Sequence, residues 1–135
     1  MATRTQSGLG LRTDSLGSLH WAGIALAVVS GVVHLFLGLV DPFSGGLIPL
    51  GQQVSFVLAG LGFFGAVALV LADLYRRTVY AVGIPFTAIQ IVLWYYLNYV
   101  AGPKALSQIG PIEIVDKVAQ VALVGVLVVL LRRGE

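Results

Sequence analysis

Four long apolar runs, with nearly every charge confined to the short segments between them, constrain this chain more than any other feature. The runs are Leu19–Val40, about Val54–Ala72, about Val79–Tyr99 and about Ile114–Leu131. Each is on the order of 18–22 residues, enough as a helix to cross a hydrocarbon core of about 30 Å at 1.5 Å per residue. Helices are the economical choice in lipid, because a helix satisfies its backbone polar groups within the segment. Barrel strands would be half as long and would alternate apolar with polar residues, which these runs do not. The expected fold is an all-α, integral membrane bundle of four antiparallel helices.

Composition supports this. Only 10% of the residues are charged, 58% are hydrophobic, and the mean hydropathy is +0.95. A soluble domain of 135 residues would need far more polar surface, near 25% charged residues. A disordered chain and a nucleic-acid partner are excluded on the same ground. With no cysteine, disulfides, thiol catalysis and thiolate metal sites are excluded too.

Residues 1–18 are polar and aperiodic and read as a disordered tail, leaving 19–133 as the membrane domain. The first run is longer than the core of a signal peptide and lacks a convincing cleavage site, so it is expected to be retained. Loops are expected where Asp41–Gly46 and Pro49–Gln53 bring breakers, at Asp73–Thr78, and from Ala101 to Glu113, where Lys104–Ile114 is mildly amphipathic and suited to a membrane surface. Four spans put both termini and the middle turn on one side. Arg4, Arg12, Arg76, Arg77, Arg132 and Arg133 lie there, against Lys104 and Lys117 opposite. The positive-inside rule therefore places both termini in the cytoplasm of a multi-pass cell-membrane protein. Trp21, Tyr75 and Tyr80 are expected at the inner interface, and Trp94, Tyr95, Tyr96 and Tyr99 in an outer belt.

Polar residues within the spans are the informative ones, since burying them costs free energy unless they find partners. Ser30 and His34 lie one turn apart in the first span. Gly83, Thr87, Gln90, Trp94 and Asn98 form a polar stripe on the third, and Gln120 follows Asp116 by one turn on the fourth. Matched for depth, His34, Gln90, Trp94, Gln120 and Asp116 are the candidates for one outward-facing polar pocket. The competing reading makes the amides and His34 interhelical glue and lets Asp116 and Lys117 snorkel to the interface. Two ridges of small residues, Gly23, Ala27 and Gly31 in the first span and Ser55, Ala59, Gly62 and Ala66 in the second, are candidate helix-packing surfaces. Pro85 is expected to kink the third span.

Several chemistries lack their residues. His20 and His34 lie about 21 Å apart along one helix and cannot sandwich one haem. No acidic residue sits at mid-membrane, and no metal-ligand cluster, phosphate loop or carboxylate pair is visible. No cofactor, no metal and no catalytic residue is assigned, and the chain is expected not to be an enzyme.

At Ser30-Gly-Val-Val-His34-Leu, Tyr75-Arg-Arg77, Gly83-Ile-Pro-Phe-Thr-Ala-Ile-Gln90-Ile-Val-Leu-Trp94-Tyr and Asp116-Lys-Val-Ala-Gln120, the chain resembles a family of uncharacterised small four-span membrane proteins of haloarchaea. The resemblance covers residues 19–133 and implies an archaeal plasma membrane but no activity. Three functions stay open. One is a non-enzymatic accessory subunit, in a homo-oligomer or a larger membrane complex, packed through its small-residue ridges. Another is a small transporter or channel component with a polar pocket around His34. The last is a lipid, quinone or chromophore binder.

Overall fold

The computed structural model describes residues 13–39, 50–100 and 110–134. They form α1 (Ser18–Leu39), α2 (Leu50–Leu71), α3 (Arg76–Tyr95) continued by a π-helical turn at Tyr96–Val100, and α4 (Pro111–Arg132). Among the described residues there is no strand. All four helices are long and apolar enough to cross a membrane.

Three helices begin earlier than hydropathy alone implies. Gln52 and Gln53 are the third and fourth residues of α2 rather than loop, and α3 starts at Arg76 rather than near Val79. Likewise Pro111–Glu113 is the first turn of α4 instead of a surface segment. Backbone hydrogen bonding continues past the point where side chains turn polar. At α4 the start is set locally: Pro111 occupies the first helical position, where its missing N–H costs nothing. Glu113 Oε2 reaches back to the Gly110 N–H at 3.1 Å. The expected loops at Asp41–Gly46 and around Lys104 and the tail at 1–12 lie outside the described residues.

Consecutive helices run antiparallel, and their packing is uneven. α1 packs along α2 and α4, and α3 along α4, while α2 and α3 touch only lightly. The central helices are α1 and α4, with a third of each apolar stretch buried, against 17% for α2 and 11% for α3. Glycines on α1 and α2 make their close approach possible. A Cβ on Gly38 would stand 2.7 Å from Val57 Cγ2 and 3.0 Å from the Gln53 carbonyl, and one on Gly60 would stand 2.7 Å from Leu35. On the α4 side, a Cβ on Gly23 would meet Val126 at 3.1 Å.

The ridge on α1 thus faces inward, with Gly23, Ala27 and Gly31 all buried. The α2 ridge does something different. Gly60, Phe63 and Val70, not Ser55 and Ala59, are the buried positions of α2. Gly62 lies against Phe86 of α3, where a Cβ would come within 2.8 Å. The predicted ridge thus joins a residue that meets α3 with Ser55 and Ala59, which line an open seam.

The turn between α2 and α3 is held by Arg76, whose Nε donates to the Val70 carbonyl at 2.8 Å and whose guanidinium lies 3.3 Å from Asp73 and 2.6 Å from Ser15 Oγ. Asp73 and Tyr75 take left-handed backbone angles there, the sharp reversal that so short a link requires. Tyr80 turns into the bundle rather than outward. It is buried beside His20, whose ring lies 6.4 Å away. Trp21 and Tyr75 are exposed. α3 remains helical through Pro85.

The bundle divides into two halves along its length. The half near the start of α1 is apolar, built on Ala27, Phe63, Val70, Tyr80, Leu123, Leu127 and Leu130. The distal half, where α1 and α3 end and α2 and α4 begin, holds Ser30, His34, Asn98, Asp116 and Gln120, while His20 and Thr87 are buried against the apolar half.

Candidate functional site

In the distal half, Ser30, His34, Asp116 and Gln120 are at most 5% exposed. They are the inward-facing positions of the two central helices, and one-turn spacing on each aligns the pairs across the interface. Their hydrogen bonds form a single consistent chain. Ser30 Oγ–H donates to Asp116 Oδ1 at 2.6 Å, and Lys117 Nζ donates to Asp116 Oδ2 at 3.0 Å. Lys117 also donates to Gln120 Oε1 at 2.7 Å, which fixes that amide's orientation. Gln120 Nε2 then donates to Gln90 Oε1 at 2.8 Å and to Ser30 Oγ at 3.3 Å. Gln90 Nε2 ends the chain on the Phe86 carbonyl at 3.0 Å.

His34 stands beside this chain. Its Nδ1 lies 2.8 Å from the Ser30 carbonyl, 3.5 Å from Ser30 Oγ and 3.7 Å from Asp116 Oδ1. A carbonyl can only accept, so Nδ1 carries the proton there, and in the neutral imidazole Nε2 is left as an acceptor. The ring is packed by Phe56 and Phe63, each with its centroid 5.7 Å away.

Because α2 and α3 barely meet, a cavity of about 480 Å³ opens along their seam, lined from all four helices. His34 contributes from α1, Gln52, Ser55, Phe56 and Ala59 from α2, Gln90, Leu93 and Trp94 from α3, Leu97 and Asn98 from the π turn, and Glu113 and Lys117 from α4. Volumes of this order are typical of small-molecule pockets. Beneath it, Phe63 and Phe86 meet edge-on at 5.2 Å and separate the cavity from the apolar half.

The π turn shapes one wall. It widens the helix by one residue per turn, a distortion common at functional sites. Trp94 packs edge-on against Tyr99 at 5.8 Å, five residues on. Asn98 Nδ2 donates to the Trp94 carbonyl at 2.8 Å. Among the described residues its Oδ1 has no partner, nor has Trp94 Nε1, although both atoms are buried.

Of the five candidates matched for depth, His34, Gln90 and Trp94 line the cavity, and Gln120 and Asp116 form the polar wall behind them. Asp116 and Lys117 do not snorkel. Asp116 is 3% exposed, and Lys117 turns inward to bond it and Gln120. Sequence reasoning read Ser55 and Ala59 as packing residues, whereas they face the cavity. It gave no site role to Lys117, Glu113 or Gln52. The usable signal was at α4: a lysine next to an aspartate inside a helix, with a glutamine three residues on, can close on itself.

Ser30, His34 and Asp116 are not arranged as a hydrolytic triad. Ser30 Oγ is fully buried and gives its proton to Asp116, not to His34. Among the described residues no cluster of His, Cys, Asp or Glu could hold a metal ion.

Among curated proteins and among solved structures, none matches the chain. One family model does match, over residues 6–131. Since the match takes in all four helices, the chain belongs to that family, which is a family of unknown function (DUF7475).

Proposed function

We propose that this chain is a small multi-pass membrane protein, with both termini cytoplasmic, whose distal cavity is an outward-facing binding site of a transporter or channel component. The observation that carries this reading is convergence. Polar side chains from α1, α3 and α4 meet on one wall of a cavity placed at the least packed seam of the bundle. Glue accounts for the paired groups, but it does not account for the space beside them, nor for Asn98 Oδ1 and Trp94 Nε1 on the cavity wall, which are buried without a partner among the described residues. Arg76, Arg77, Arg132 and Arg133 at the opposite end support the orientation. Outward-turned Val32, Leu58, Leu61, Val92, Val118 and Val121 supply a lipid-facing surface. The archaeal plasma membrane is the expected location by resemblance.

The reading as an accessory or oligomerising subunit rested on small-residue ridges. The α1 ridge is consumed by contacts inside the chain's own bundle, so it offers no surface to another chain. No catalytic step is assigned to the cavity in this reading; the Ser30 hydroxyl beside His34 is spent on Asp116.

In proteoliposomes carrying a proton gradient or a gradient of small polar solutes, the wild-type chain is expected to give flux above empty vesicles, reduced at least about tenfold by His34→Ala. That factor is what loss of one charge-assisted or well-placed hydrogen bond costs. Flux equal to that of empty vesicles for every gradient would end the transport reading.

A further inference from the structure

Resting on the pocket reading, we infer that the cavity's ligand is a small organic cation of the substituted-ammonium class. The atoms left over on its walls are mostly acceptors. Asn98 Oδ1 is buried without a partner among the described residues, and its orientation is fixed because the Trp94 carbonyl requires the amide nitrogen. His34 Nε2 is the second acceptor, its Nδ1 being committed to the Ser30 carbonyl. The charges point the same way. Asp116 and Lys117 cancel as an ion pair at 3.0 Å, whereas no cation among the described residues pairs with Glu113. Among the described residues, Glu113 is therefore the charged side chain of the wall with no opposite charge in contact, and it is negative.

The start of α4 would ordinarily favour an anion. Here Pro111 has no N–H, and the Gly110 N–H is taken by Glu113. The rings of Trp94 and Phe56 line the same space and supply the negative faces that attract ammonium groups, alkylated ones above all. One donor, Trp94 Nε1–H, stays unpaired among the described residues and suits a hydroxyl carried by the same ligand.

Calorimetric titration of the full chain in lipid nanodiscs tests this with three probes at equal ionic strength: choline, its uncharged isostere bearing a tert-butyl group, and acetate. Choline is expected to bind at least about tenfold more tightly than either of the others, the factor that one desolvated cation–π contact with a charge partner supplies. Glu113→Gln keeps an oxygen for the Gly110 N–H and is expected to weaken choline binding about tenfold. Trp94→Leu is expected to weaken it similarly, and Trp94→Phe, which keeps a ring, to weaken it less. Equal binding of the isostere, preference for acetate, or no binding of any probe would each overturn the inference. Water accessibility of the cavity, measured separately by thiol labelling, decides whether the pocket reading survives that failure.

Discussion

Replacing Asp116 by leucine is expected to destabilise the bundle by about 3–5 kcal/mol, the cost of removing one partner from a buried ion pair. Two groups lose an acceptor at once, and His34 loses a neighbouring negative charge. Lys117 Nζ keeps only Gln120, the Ser30 hydroxyl loses its 2.6 Å bond, and the carboxylate 3.7 Å from His34 disappears. Asp116→Asn retains an oxygen of the same shape and is expected to cost less. Removing both charges, as in Asp116→Leu with Lys117→Leu, is expected to cost less than the sum of the single changes, because the pair's desolvation penalty vanishes with it. Thermal or denaturant unfolding in detergent micelles measures all four variants. Strict additivity would show that the two side chains do not form the coupled pair described.

The second large effect is one of sign. Alanine at Gly38 is expected to destabilise the bundle by about 1–3 kcal/mol, the usual cost of overpacking. Its Cβ would meet the Gln53 carbonyl at 3.0 Å and the Val57 backbone nitrogen at 3.1 Å, and backbone cannot swing aside as a side-chain tip can. Gly60→Ala is expected to cost somewhat less, since Leu35 can rotate, although the Gly31 carbonyl at 3.1 Å cannot. Gly65→Ala and Gly125→Ala are the internal controls. A Cβ there meets nothing within 4 Å, so each is expected to gain up to about 1 kcal/mol from helix propensity. The same unfolding measurement reads both signs. Destabilisation of equal size at Gly38 and Gly65 would mean that close approach of α1 and α2 is not what Gly38 provides.

These two effects also mark how far the sequence alone could be read. Helix number and approximate bounds follow from hydropathy because lipid-scale apolar runs have few alternative explanations. The depth match of His34, Gln90, Trp94, Gln120 and Asp116 was legible too, since helical rise converts residue number into depth. Rotation was not. Whether Ser55 and Ala59 face α1 or an open seam depends on which neighbour α2 packs against, and a run apolar on every side carries little phase information. The same uncertainty hid Gly60, which sits two residues from the predicted Gly62 but points to a different helix. Lys117 was misplaced for another reason. A lysine near a helix end ordinarily reaches outward, and only the assembled Asp116 and Gln120 acceptors make the inward rotamer favourable. The π turn at Tyr96–Val100, which builds the Asn98 wall, left no mark in the residue pattern.

The proposed function requires the cavity at the seam between α2 and α3 to be open to water from the outside. The chain has no cysteine of its own, so single cysteines can be read without background. A thiol reacts as its thiolate and needs water to ionise. In intact cells, a membrane-impermeant thiol reagent applied outside is expected to label Ser55→Cys and, more slowly, Ala59→Cys, both on the cavity wall. It is expected to leave unlabelled Leu58→Cys, at matching depth on the outward face of the same helix. Labelling of Leu58→Cys as fast as Ala59→Cys, or no labelling of Ser55→Cys from outside, would contradict the account.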